Sequence, residues 1–121
     1  MPIKKILVVD DSPTERLALT EVLMRNGFQV VTAETGEEAI IKSKVEMPDL
    51  ILMDVVMPGM NGYQATRTIS RDDVTRSIPI IMCTSKGLET DKIWGMRQGA
   101  YDYLVKPVDH ADLLARIKSI G

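Results

Sequence analysis

Leu50-Ile51-Leu52-Met53-Asp54-Val55-Val56-Met57-Pro58-Gly59 is the stretch on which the reading of this chain turns. Apolar residues without polar alternation run into an acid and then into a Met-Pro-Gly loop. A strand of a parallel sheet has that unbroken apolar look, because helices bury it on both faces. Most of the other apolar runs share it: Ile6-Leu7-Val8-Val9, Gln29-Val30-Val31-Thr32-Ala33, Ile78-Pro79-Ile80-Ile81-Met82-Cys83 and Tyr101-Asp102-Tyr103-Leu104-Val105. Pro79 falls at a strand start, where its missing N–H is tolerated.

The segments between these runs carry helix punctuation. Ser12-Pro13-Thr14-Glu15 reads as a capping box with proline at the first helical position. Asn26-Gly27 supplies a left-handed stop for that helix. Thr35-Gly36-Glu37-Glu38 reads as a second capping box. Further helices are predicted from Gly62 to about Arg71, from Leu88 to Gln98 before Gly99, and from an Asp109 cap to about Ile120. Strand and helix thus alternate five times. That order predicts an α/β fold with a parallel sheet, helices on both faces and right-handed crossovers.

Composition narrows the class. A chain of 121 residues is one domain long. Its apolar fraction of 45% supports a continuous core, and aromatics contribute only 4%. A formal charge of −2 with acids and bases interspersed gives no basic footprint for nucleic acid. The lone Cys83 sits in an apolar run, so a small buried hydrophobe is expected and no disulfide framework exists. Met1-Pro2-Ile3-Lys4-Lys5 leads into an apolar run too short for a signal peptide, and nothing approaches the ~18 apolar residues of a membrane span. No membrane insertion is expected, and the cytoplasm is the expected location.

In an open parallel sheet, ligands bind beyond the carboxyl ends of the strands. The first strand ends on Asp10-Asp11, the third on Asp54, the fourth on Thr84 and the fifth on Lys106. The second ends on Ala33 and brings no polar group, as suits an outer strand. Carboxylates gathered at one edge repel and raise each other's pKa values. A hard divalent cation removes that conflict, and Mg2+ suits a few carboxylates, waters and a phosphate oxygen. The set therefore reads as a magnesium site that also receives a phosphoryl group. Lys106 can neutralise phosphoryl oxygens, Thr84 can donate a hydrogen bond, and one of the carboxylates can be the nucleophile, giving an aspartyl phosphate.

Over nearly its whole length the chain resembles the receiver domain of two-component response regulators. The matching residues are Ile6-Leu7-Val8-Val9-Asp10-Asp11, Leu52-Met53-Asp54 through Met57-Pro58-Gly59-Met60-Asn61-Gly62, Thr84-Ser85 and Lys106-Pro107. The resemblance implies a doubly wound, flavodoxin-like (CheY-like) five-stranded sheet in the order 2-1-3-4-5; a chemotaxis receiver of this family is itself a standard example of that order. It implies Asp54 as phosphoacceptor, Mg2+ on Asp11 and Asp54, Asp10 assisting through water, and the carbonyl of Val56 as a further ligand. Lys106 would pair with the phosphoryl group, and the bond before Pro107 would be cis. Thr84 and Tyr103 would form the switch: Thr84 moves to a phosphoryl oxygen, and Tyr103 turns inward behind it. Asp11-Ser12-Pro13-Thr14-Glu15, Gly62-Tyr63-Gln64-Ala65-Thr66-Arg67 and Glu89 to Ala100 resemble the stand-alone PilH-type receivers of pilus and twitching-motility chemosensory systems.

The resemblance also implies a single receiver domain over residues 1–121 with no output domain. It would act through its own magnesium-dependent phosphotransfer and autodephosphorylation, not as an enzyme on other substrates. The donor would be a sensor histidine kinase of CheA-like type. An unidentified output protein would bind the face made by the fourth helix, fifth strand and fifth helix, where Lys92, Trp94 and Tyr103 lie or border. A monomer is expected. Val56 and Lys86 flank the path of a hydrolytic water and depart from the better-known chemotaxis receivers.

Blander readings stand beside these. Alone, Asp10-Asp11 is helix-entry chemistry, Lys106-Pro107 a surface turn, Tyr103 a packing residue and His110 a solvated helix start. Trp94 is open between core packing and an exposed partner anchor. A magnesium-dependent phosphohydrolase would place its nucleophile after the first strand with a second acid two residues on, but Ser12 holds that place. A flavodoxin-like nucleotide binder would want a Ser/Thr/Gly-rich phosphate loop where Asp10-Asp11 stand.

Overall fold

A computed structural model describes residues 2–121, and Met1, with which the expected domain begins, lies outside the described residues. The strands are β1 (Lys5–Val9), β2 (Gln29–Ala33), β3 (Leu50–Met53), β4 (Ile80–Thr84) and β5 (Asp102–Val105). They alternate with α1 (Pro13–Arg25), α2 (Gly36–Glu46), α3 (Gly62–Arg71), α4 (Glu89–Arg97) and α5 (His110–Ile120). All strand pairs are parallel, in the order β2-β1-β3-β4-β5.

The unbroken apolar runs are explained by two cores, one on each side of the sheet. Ile6, Val8, Leu50, Leu52, Ile81, Cys83 and Leu104 cluster with Leu19 and Leu23 of α1 and Leu113 and Ile117 of α5. The alternate residues Leu7, Val9, Ile51, Met53 and Ile80 cluster with Ala39 of α2 and Ala65 and Ile69 of α3. Strands with period-two side chains serve both cores at once. The outer strands β2 and β5 keep partly exposed positions, while every residue of β3 and β4 is buried.

A third cluster of Val55, Tyr63, Met82, Ala100 and Tyr103 lies where α3 meets β4 and β5. Gly95 lets α4 close over it. A Cβ there would stand 2.9 Å from Met82 Sδ and from the Tyr103 ring.

Some boundaries differ from the sequence reading. β4 begins at Ile80, not Ile78, because Pro79 has no N–H to enter the ladder; its carbonyl still accepts from Ile51 N–H at 3.0 Å. Both expected capping boxes are half-formed. Ser12 Oγ accepts from Glu15 N–H (3.3 Å), but the Ser12 N–H donates to Asp10 Oδ1 (2.9 Å) and the Glu15 carboxylate turns elsewhere. Thr35 Oγ1 accepts from Glu38 N–H (3.0 Å), while Glu38 Oε1 accepts from Glu34 N–H, one residue before the cap. The complete box is Asn61 with Gln64 at the start of α3. Among the described residues, no helix is long and apolar enough to cross a membrane.

Candidate functional site

Backbone pairing continues past the strand ends and holds the polar residues in place. Asp10 N–H donates to the Ala33 carbonyl (3.1 Å), Asp54 N–H to the Val9 carbonyl (2.9 Å) and Lys106 N–H to the Thr84 carbonyl (2.8 Å). Because β1 and β3 are neighbours in the sheet, Asp10, Asp11 and Asp54 come together. One carboxylate oxygen from each lies within 4.8 Å of the others. Asp10 and Asp54 are buried and Asp11 is exposed at the mouth.

α3 approaches this edge closely because its first residue is glycine. Gly62 N–H donates to the Val55 carbonyl at 2.9 Å. A Cβ on Gly62 would stand 2.1 Å from the Asp54 carbonyl oxygen, so no other residue fits without moving the acid. On the other side, Arg16 donates to the Asp10 carbonyl (2.7 Å) and to Glu34 (3.1 Å), fastening the turn between β1 and α1.

Lys106 supplies the positive charge. Its Nζ lies 2.8 Å from Glu15 Oε2, 3.0 Å from Asp10 Oδ2 and 3.7 Å from Asp54 Oδ1. Burial opposes its charged form, but the hydrogen bonds to Glu15 and Asp10 and the charges of Asp54 and Asp10 together hold its pKa above the usual lysine value. Asp54 goes the other way from an ordinary carboxyl. Burial raises its pKa to about 6, with Asp10 and Asp11 adding to the rise and Lys106 and the Val55 N–H opposing it. An all-oxygen donor set with an excess of negative charge and one side open to solvent fits a hard cation that keeps part of its water shell.

The description "Response regulator receiver domain" matches residues 6–118. The chain belongs to this family. Protein PilH of Pseudomonas aeruginosa is 53% identical over 116 residues, 96% of each chain. The receiver spans about half the length of the other curated relatives it matches. Among solved structures, CheY in the CheX–CheY–BeF3–Mg complex of Borrelia burgdorferi is 33% identical with a TM-score of 0.90, covering 97% of this chain and 88% of that one. The receiver domain of a sensor histidine kinase of P. aeruginosa, with a magnesium ion coordinated in its active-site cleft, is 32% identical with a TM-score of 0.89, covering 96% and 95%.

Val56 and Ser85 line the cleft with Asp11, Glu15, Asp54, Lys106 and Pro107, and the Lys106–Pro107 bond is cis. Thr84 is fully buried, and its Oγ1 accepts from the Lys86 N–H at 3.3 Å. Tyr103 is already inside. Its hydroxyl donates to the Lys86 carbonyl (2.7 Å) and lies 3.3 Å from the Tyr63 hydroxyl, and burial raises its pKa. The inward ring packs in the third cluster. Trp94 is half exposed on α4.

Sequence reasoning missed Glu15 and Tyr63. Glu15 was absorbed into the capping-box pattern, although its place one turn into α1 puts it above the same sheet edge as Asp11. Tyr63 carried no signal, because its partner Tyr103 lies 40 residues away.

Proposed function

We propose that this receiver is a stand-alone switch, one domain over residues 1–121, that accepts a phosphoryl group on Asp54 and changes the proteins it binds. The observation that supports it most is the meeting of Asp10, Asp11 and Asp54 within 4.8 Å, with Lys106 Nζ 3.7 Å from Asp54, in one open cleft. Asp11, Asp54 and the Val56 carbonyl would hold Mg2+, with Asp10 assisting through water. The ion, when bound, would offset the carboxylate charges and neutralise phosphoryl oxygens.

The donor in this reading is a phosphohistidine of a CheA-like kinase. A carboxylate oxygen of Asp54 attacks phosphorus, the P–N bond breaks, and its electron pair returns to the imidazole. Lys106 and Thr84 bind the phosphoryl oxygens. Thr84 gives up its contact with the Lys86 N–H to do so, and the loop after β4 follows. Tyr103, bonded to the Lys86 carbonyl, carries that movement to β5 and α4. The output partner then reads the face of α4, β5 and α5, where Trp94 is already half exposed. In this reading it serves pilus, twitching-motility or chemotaxis-type signalling, a setting that the likeness to PilH supports, and it works in the cytoplasm as a monomer.

Incubation with Mg2+ and acetyl phosphate, followed by intact mass measurement, tests the core of this reading. One phosphoryl mass is expected on the wild type, and none on Asp54→Asn or without the metal. A folded wild type that stays unmodified under both acetyl phosphate and a kinase donor would overturn it.

A further inference from the structure

Lys106 donates two hydrogen bonds, to Glu15 and Asp10, and has Asp54 close by. An ammonium has three N–H donors, and three carboxylates surround this one, at 2.8 Å (Glu15), 3.0 Å (Asp10) and 3.7 Å (Asp54). The shortest contact belongs to Glu15, which is not among the acids that meet at the metal cluster. Glu15 is also the most loosely held of the three. Its side chain is 49% exposed, against 2% for Asp10 and 7% for Asp54. No other hydrogen bond holds the Glu15 carboxylate among the described residues, whereas Asp10 and Asp54 each also accept a backbone N–H.

We propose that Glu15 is a competing anion for Lys106, a negative charge on α1 that the incoming phosphoryl group must displace, and that it thereby slows phosphorylation and weakens the phosphorylated state. The inference rests on Asp54 being the phosphoryl acceptor. Three features make Glu15 the group that yields. Its carboxylate returns to water at little cost, because half of it is already there. α1 keeps its start without it, since Ser12 Oγ caps the Glu15 backbone N–H and not its side chain. Its charge adds to a cleft where Asp10, Asp11 and Asp54 already face a single ammonium, so every anion that enters meets one more like charge than the acceptor chemistry needs.

The full chain as wild type, Glu15→Gln and Glu15→Ala, each with saturating Mg2+ and acetyl phosphate, separates the possibilities. Intact mass gives the rate of phosphoryl gain, and calorimetry gives the affinity for beryllofluoride, which occupies the phosphoryl position without turnover. Both variants are expected to gain phosphoryl mass roughly three- to tenfold faster, and to bind beryllofluoride more tightly by a similar factor, the scale of one half-solvated unit charge close by. The gain should shrink in part in about 0.5 M KCl, where the screening length falls to roughly 4 Å; a packing effect would not shrink. Equal or slower phosphorylation together with unchanged or weaker beryllofluoride binding in both variants would overturn the role of Glu15. A wild type that gains no phosphoryl mass at all would instead overturn the acceptor reading, and this inference with it.

Discussion

Two ion clusters at opposite ends of β5 use nearly the same contact distances and differ in almost everything else. In one, Arg116 of α5 meets Asp102 at 2.7 Å and Asp112 at 3.1 Å, and all three side chains reach solvent, at 39%, 29% and 50% exposure. In the other, Lys106 is 16% exposed and holds Asp10 and Asp54, both nearly closed off from water. The hydrogen bonds that Arg116 donates to Asp102 and Asp112 raise its pKa further, so that cluster stays charged and quiet. Around Lys106, burial works against the charges it encloses, and Asp54 is pushed up to about 6. Contact distance therefore does not mark a site. Burial of more negative charge than the local cation can offset does, because that arrangement is completed by a further cation, and the donor set here fits Mg2+.

The largest effect that would test this contrast is in Lys106→Met. Without magnesium it is expected to lose about 2–4 kcal/mol in urea unfolding, because buried acids are left unpaired. Added Mg2+ should return a good part of that loss. Stability unaffected by the substitution would break the comparison.

Next comes Asp54→Asn, which without metal is expected to be more stable than wild type by about 1–3 kcal/mol at neutral pH. The sign comes from the raised pKa. The folded state binds the Asp54 proton more tightly than the unfolded state does. The stability this group contributes is therefore full below the ordinary carboxyl value of 3.8 and is lost as pH rises through about 6. The gap between variant and wild type should open across that window and stay flat above it. A gap that is constant from pH 4 to 7 would point to packing as its cause. The smallest effect belongs to Arg116→Met, expected within about 1 kcal/mol of wild type, as for other exposed pairs. A loss as large as that of Lys106→Met would erase the distinction between the clusters.

Much of the fold is legible in the chain itself. The apolar runs became strands, Asp109 and Ser12 became helix caps, and the polar residues at the run ends all emerged at one edge. The order of the strands came with the receiver resemblance, since periodicity alone does not say which run neighbours which. The start of β4 was displaced by two residues, because apolar character continues through Ile78-Pro79 while hydrogen-bonding capacity does not. Trp94 lay open between two readings, and its half-exposed position on α4 removes the core one.

Local chemistry along the chain was enough to set what each segment becomes, because helix entry, strand burial and chain reversal depend on residues within a turn or two of one another. It also named Asp10, Asp11, Asp54, Thr84 and Lys106 as the groups to watch. Only the assembled sheet decided how they meet. Lys106 finds Asp10 from 96 positions away and Glu15 from 91. A carboxylate takes the strongest donor within reach, so Glu15 left the neutral N–H of its own capping motif for an ammonium. Which donors are within reach is a property of the packed chain, and so are the raised pKa of Asp54 and the inward seat of Tyr103.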